Sequence, residues 1–491
     1  MKKTYQYLFL LSIGLFAFQS CEDMDDTVHV SSGLEVESFI YRGLNLYYLW
    51  KDDVPDLADD RFASTEEKDA FLDAAASPEA LFQDLLYKPV SKFPTDPIDR
   101  FSVMVSDYTV LENLFAGVTK NNGVDYGLKR KTGTNEAFGW VRYIIPGSDA
   151  AAKDIRRGDI FYAVNGVPLF YNSQTDNNLA LLNAENYTLS LADYNGGAIT
   201  PNGRSVSLTK TELTENPVYD ARVIAAGTHK IAYLSYNGFT ANFDEQLNTA
   251  FGQFKAQGAT DLVLDLRYNS GGSVRTATRL ASMITGQFNG QLFAKQQWNA
   301  QVQAAYEDQN PQALVNNFTN SIGSAGINSL NLSKVYILTT IGTASASELV
   351  INGLKPYIEV VQIGDKTTGK NVGSITLYDS PALVNKDNIS TKHKYAMQPL
   401  VFKTTNADGF GDYGAGLAPN VPLMEDLNNL GQLGDVNEPL LSTAIGLITA
   451  SGRMIHQNPE NANRDLKDSK SMRRFGTDMY LENIPTGIIR K

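Results

Sequence analysis

Apolar positions along this chain change their spacing twice, and each change marks a candidate boundary. From residue 34 to 117 the spacing is helix-like: Leu44, Tyr47, Tyr48 and Trp50 cluster, and Phe71, Leu72, Leu81 and Leu85 share a face of the run 66–86. This predicts a helical N-terminal domain whose stripes are core, not ligand site. From 118 to 215 the pattern shortens into strand-like pieces (139–145, 160–164, 187–191, 205–211) around one small-residue helix. From 216 to 455 strands and amphipathic helices alternate, as in an α/β core. Strands are predicted at 229–236, 261–266 and 335–340. One helix carries Phe243, Leu247, Phe251 and Phe254 and stops at Gly258. A second carries Val274, Ala277, Leu280, Ala281 and Ile284 and ends at Gly286, and a third carries Leu349, Val350, Leu354 and Tyr357. Residues 287–334, rich in Asn and Gln, read as an irregular insertion. Residues 456–491 read as a polar, loosely attached tail.

The length of 491 residues suits about three domains. A net charge of −12 argues against nucleic acid, whose phosphates it repels. At the N-terminus, Lys2 and Lys3 precede an apolar run at 8–18, followed by Gln19-Ser20-Cys21. That run is shorter than the roughly 20 residues of a membrane span and suits a signal-peptide core over 1–20. Cys21 is the only cysteine, so no internal disulfide is possible. Its placement resembles a Bacteroidetes-type lipoprotein signal. The resemblance implies lipidation of Cys21, a tether over 21–33, and a lipid anchor in the bacterial cell envelope, at the periplasmic or outer face of the outer membrane. Ordinary secretion with a leftover thiol is the alternative. The acidic run at 22–26 is either a surface-export signal or a solvated tether.

Candidate chemistry centres on Ser345, within Gly342-Thr343-Ala344-Ser345-Ala346-Ser347-Glu348. A small-residue turn between a strand and a helix exposes a hydroxyl and sets the next N–H groups at a positive helix end, suited to an oxyanion. The four histidines, His29, His229, His393 and His456, sit in no Gly-rich motif. Lys370, in Gly369-Lys370-Asn371-Val372-Gly373, is a better base, because burial lowers a lysine's proton affinity towards neutrality. Asn269-Ser270-Gly271-Gly272 offers a second glycine turn before a helix, and a glycine N–H there pairs with that of Ala346 as oxyanion donor; a plain strand-to-helix turn is the ordinary alternative. The GxGxxG string at 409–414 neither follows a clear strand nor opens a helix and reads as a loop. No His/Cys/Asp/Glu spacing suggests a metal site, and no cofactor is implied.

Taken together, Leu264-Asp265-Leu266-Arg267-Tyr268-Asn269-Ser270-Gly271-Gly272, Ala344-Ser345-Ala346-Ser347-Glu348 and the step to Gly369-Lys370 resemble the carboxyl-terminal processing peptidases, serine peptidase family S41. The resemblance covers roughly residues 100–425. It implies a ClpP/crotonase-like α/β catalytic core, Ser345 as nucleophile, Lys370 as general base, and Ala346 with Gly271 as oxyanion donors. The stretch 146–166 resembles a PDZ domain, which binds peptide C-termini by strand addition. Its carboxylate-binding loop would fall near Tyr126, Gly127 and Leu128; a PDZ-like domain with a structural role only is the alternative. In many family members a glutamine stands four residues after the lysine. Here that position is Ser374, a possible supporting residue, and the third catalytic role stays open. The implied function is a serine endopeptidase with a Ser-Lys dyad acting on polypeptides recognised through their C-terminal tails. The alternative is a non-catalytic, lipid-anchored peptide binder of the same fold.

Overall fold

The computed structural model describes residues 33–450, 463–473, 475–482 and 484. The signal-peptide and lipidation expectations, Cys21 among them, lie outside the described residues.

The α/β core is built on a six-stranded sheet in the order Val218–Ala226, His229–Tyr236, Asp261–Asp265, Lys334–Thr339, Glu359–Gly364 and Val421–Pro422. The first two strands form an antiparallel hairpin, and every later pairing is parallel. Parallel strands buried on both faces read as apolar runs, as Leu262, Val263 and Leu264 do here. The helices Asp244–Ala256, Val274–Thr285 and Ala346–Leu354 form as their apolar spacing predicts, and the first two stop at Gly258 (φ 72°) and Gly286 (φ 73°), where glycine tolerates the left-handed backbone.

Three adjacent parallel strands, Asp261–Asp265, Lys334–Thr339 and Glu359–Gly364, lead from their carboxyl ends into the Gly271, Ser345 and Lys370 segments. Open α/β sheets bind ligands at such carboxyl ends. The topology therefore delivers three motifs, distant in sequence, to one edge of one sheet.

The N-terminal region is helical as expected, with one refinement: the predicted run at 66–86 is two helices, Thr65–Asp73 and Pro78–Asp84, because Ser77 caps and Pro78 opens the second. This region is not an independent body. Phe39, Ile40 and Leu44 belong to the same apolar cluster as the core, and the Val103–Val105 strand pairs with Ala396–Gln398. Residues 118–215 hold most of a separate β-rich sheet, ordered Asn463–Asp468, Val124–Lys131, Ala137–Ile144, Ile160–Val164, Asn186–Asn195 and Ala198–Thr209, with its own apolar cluster. The predicted helix within it is only a 3-10 turn, Ala150–Ala152.

Two expectations are corrected. The stretch 287–334 is ordered structure: Leu292–Trp298 pairs with the Leu400–Thr405 strand, and Ala300–Gln309 is a helix. The closing segment is not loosely attached where it is described. Asn463–Asp468 adds to the β-rich sheet and Met479–Tyr480 pairs beside Gly272, with Met479 fully buried. Composition misled here because strand pairing and ion pairs hold the polar residues, while the few apolar ones, Leu466, Met472 and Met479, pack into the apolar clusters.

Candidate active site

Ser345 is the N-cap of Ala346–Leu354 and has φ 63°, ψ −115°. That backbone is strained for any residue with a Cβ, at a cost of roughly 1–3 kcal/mol, so surrounding contacts must hold it. They are specific. Asn269 O accepts from Ala344 N (3.1 Å) and from Ser347 Oγ (3.0 Å). Asn269 Nδ2 donates to Tyr236 O (2.8 Å), and its Oδ1 accepts from Gly271 N (2.9 Å). One asparagine thus joins the serine turn to the glycine turn. The Ser345 Oγ itself is buried and has no hydrogen-bond partner.

Glu348, fully buried on the first turn of the same helix, is a residue to which the sequence reading gave no role. Its Oε2 accepts from the backbone N–H of Ser345 (2.7 Å) and of Lys370 (2.8 Å). Its Oε1 accepts from Gly369 N (2.7 Å) and from Thr367 Oγ1 (2.5 Å). One carboxylate therefore clamps the Ser345 turn to the lysine's loop. Burial pushes its carboxyl upward, and these donors pull it back. The Ser-x-x-Glu spacing of a capping box was the available signal for its contact with Ser345. Nothing in the sequence announced the contacts to 367–370.

Lys370 is completely buried. Burial lowers its proton affinity below the ordinary 10.5, against the opposing pull of Asp478 and Asp99, while Arg100 adds to the lowering. Its Nζ donates to Thr477 O and lies 3.4 Å from Asp478 Oδ1 and 4.6 Å from the centroid of Phe101. Arg100 Nη2 donates to Gly369 O (2.6 Å), so the N-terminal region walls and braces the lysine's loop. Neither residue was singled out beforehand.

The glycine turn is where close approach matters. Gly271 has φ 114°, and a Cβ there would sit 2.6 Å from Ser345 Cβ and 3.1 Å from Ala346 N, and against the Asp478 carbonyl. These atoms converge on one point. Gly271 N–H is held by Asn269, as above, whereas Gly272 N–H donates to Asp478 O (2.5 Å). Alongside lies a cavity of about 120 Å³ bordered by Phe115, Phe239, Gly271, Gly272, Asp478 and Tyr480. Beneath the turn, fully buried Arg267 bridges Asp265 (2.7 Å) and Glu438 (2.7 Å).

Ser374 Oγ donates to Met479 O (3.3 Å), a contact with the closing segment. Tyr126, Gly127 and Leu128 are not a loop: they lie inside the Val124–Lys131 strand, with Gly127 opposite Asp468. Among the described residues no group of three or more His, Cys, Asp and Glu side chains is placed to hold a metal ion.

Residues 230–386 match the model of peptidase family S41, and residues 35–103 match the peptidase S41 N-terminal domain. The chain is 27% identical to a carboxyl-terminal-processing protease of Picosynechococcus over 46% of its length and 50% of the relative's. It is 26% identical to a chloroplastic C-terminal processing peptidase of Tetradesmus obliquus over 53% of its length and 56% of the relative's. It thus spans about half the length of these curated relatives. A crystal structure from Bacteroides fragilis, assigned to the S41 proteases, aligns with TM-score 0.59 and 27% identity over 84% of this chain and 97% of that one. Both S41 domain models thus match in order, and the segments they match bring the serine, lysine and glycine motifs to one sheet edge, so that the chain is similar to peptidase family S41 over residues 35–103 and 230–386.

Proposed function

We propose that the protein is a serine endopeptidase with Ser345 as nucleophile and Lys370 as general base. The observation that carries this reading is the pairing of a strained serine, its hydroxyl unpartnered, with a buried lysine whose loop is tied to the same Glu348 carboxylate. Ser345 Oγ attacks a peptide carbonyl while its proton passes to the uncharged Nζ of Lys370. The oxygen's developing charge is met by Ala346 N–H, and by Gly272 N–H once Asp478 O leaves it; Gly271 N–H, the donor expected from the sequence, is already committed to Asn269 Oδ1. Lys370 returns the proton to the departing amine, and water then releases the acyl group. Losing one oxyanion donor typically costs about 3 kcal/mol of barrier.

The β-rich domain is read as a PDZ-like module that docks a substrate's C-terminal tail by strand addition. The support is the Val124–Lys131 edge, which already accepts an added strand. A lipid anchor at Cys21 would hold the enzyme at the outer membrane; mass analysis of the mature N-terminus tests it, and an unmodified Cys21 refutes it.

The test of the catalytic reading is incubation of an unfolded polypeptide with wild type, Ser345→Ala and Lys370→Ala. Cleavage by wild type alone is expected. If all three bind the substrate and leave it intact, the protein is a peptide-binding member of the family instead.

A further inference from the structure

Segment 463–482 makes contacts of the kind a bound peptide would make. Asn463–Asp468 adds antiparallel to the free edge of Val124–Lys131. Side chains fix it there: Lys129 Nζ meets Asp465 (2.6 Å), Arg142 Nη1 meets Asp468 (2.8 Å), and Ser469 Oγ donates to Asp125 (2.7 Å). Lys470 Nζ then donates to Asn237 O (2.6 Å) and Tyr268 O (2.8 Å), at the rim of the glycine turn. Further on, Met479–Tyr480 lies between Gly272–Ser273 and Val372–Ser374, the two strands flanking the candidate chemistry. Tyr480 stacks on Phe115 at 4.1 Å. The Asp478 carbonyl takes the Gly272 N–H beside Ser345, and the Asp478 carboxylate with the Thr477 carbonyl holds Lys370 Nζ.

We infer that the Val124–Lys131 edge and the cleft between Gly272–Ser273 and Val372–Ser374 form one peptide-binding track, occupied in cis by this chain's own residues 463–473 and 475–482. The inference rests on the peptidase reading for its consequence: a substrate must displace the resident segment before Ser345 is served. The resident also describes the class of peptide the track takes, extended at its two ends (463–468 and 479–480) and turning at 469–473 and 475–477, with apolar or aromatic side chains where Met479 and Tyr480 lie. Asp478 separates resident from substrate. Its carboxylate draws the base to itself, whereas a neutral residue at that position leaves Nζ free for the Ser345 hydroxyl.

The experiment uses the full chain carrying Ser345→Ala, so that peptide stays intact, and follows backbone amide exchange by mass spectrometry. The probe is a synthetic peptide copying residues 476–482 with alanine in place of Asp478. Amides of 463–468 and 479–480 are expected to be protected alone and to lose protection as the probe saturates. Protection unchanged at saturation overturns the inference. In the active background, Asp478→Asn keeps the shape but removes the charge. It is expected to raise kcat/KM about tenfold, the order of one charge-assisted hydrogen bond. It should also move the alkaline midpoint of the rate profile down, since Asp478 no longer favours the ammonium form. An unchanged rate and midpoint overturn the inhibitory role. Displacement without any cleavage sinks the peptidase reading and leaves the track standing; cleavage by wild type with the segment still protected does the reverse.

Discussion

Glu348→Gln is the sharpest probe of how the site is assembled. Every group around the carboxylate is a donor, two to each oxygen. An amide offers one acceptor oxygen and turns an NH2 group towards the other pair. The less costly orientation keeps the oxygen on Ser345 and Lys370 and presents the NH2 to Gly369 N–H and Thr367 Oγ1. The Thr367 hydroxyl also accepts from Leu417 N (2.7 Å) and can rotate to accept a second time, whereas the Gly369 N–H cannot change sign. One or two buried donors are therefore orphaned, at about 1–3 kcal/mol each. Stability is expected to fall by about 2–4 kcal/mol on that count. Relief comes from the Lys370 loop moving away, and a displacement of order 1 Å in a reacting group costs about 100-fold in rate. Urea denaturation reads the first quantity, and kcat/KM on an unfolded polypeptide reads the second. Glu348→Gln with a wild-type midpoint and a wild-type rate would refute the clamp.

Three further outcomes follow from the same geometry. Gly271→Ala drives a methyl against Ser345 Cβ and the Asp478 carbonyl at φ 114°, so peptidase activity should fall at least about 100-fold; a nearly normal rate would show that the turn does not lie against the nucleophile. Ser345→Gly removes the nucleophile and the positive-φ strain together, and is expected to raise stability by about 1 kcal/mol while abolishing cleavage. A lower denaturation midpoint would contradict the strain. Because Lys370 must be uncharged to accept a proton and burial lowers its affinity below 10.5, kcat/KM should climb with pH and level off before 10.5 is reached. A rate that declines over that climb excludes Lys370 as the base.

Much of this protein was legible before any coordinates. Strand 229–236 was predicted at its observed ends, and the helices after Gly271-Gly272 and after Ser345 were recognised, because local periodicity and glycine stops need only neighbouring residues. Ser345 and Lys370 stood out because a hydroxyl in a small-residue turn and a lysine in a glycine loop are uncommon chemistry in recognisable settings. Glu348, Asn269, Phe101, Arg100 and Asp478 did not stand out. Their partners lie 2 to 269 positions away; those of Glu348, Asn269 and Arg100 are mostly backbone groups that every residue possesses, so no residue type signals the contact, while Phe101 and Asp478 meet the Lys370 amine only through the fold. The closing segment shows the division most clearly. Its polar composition reads as solvated chain, yet main-chain hydrogen bonding to two sheet edges binds polar and apolar sequences alike. Local pattern determined most of the elements and the candidate pair. Only the order of the parallel strands, which brings three distant turns to a common edge, decided what surrounds that pair and what lies across it.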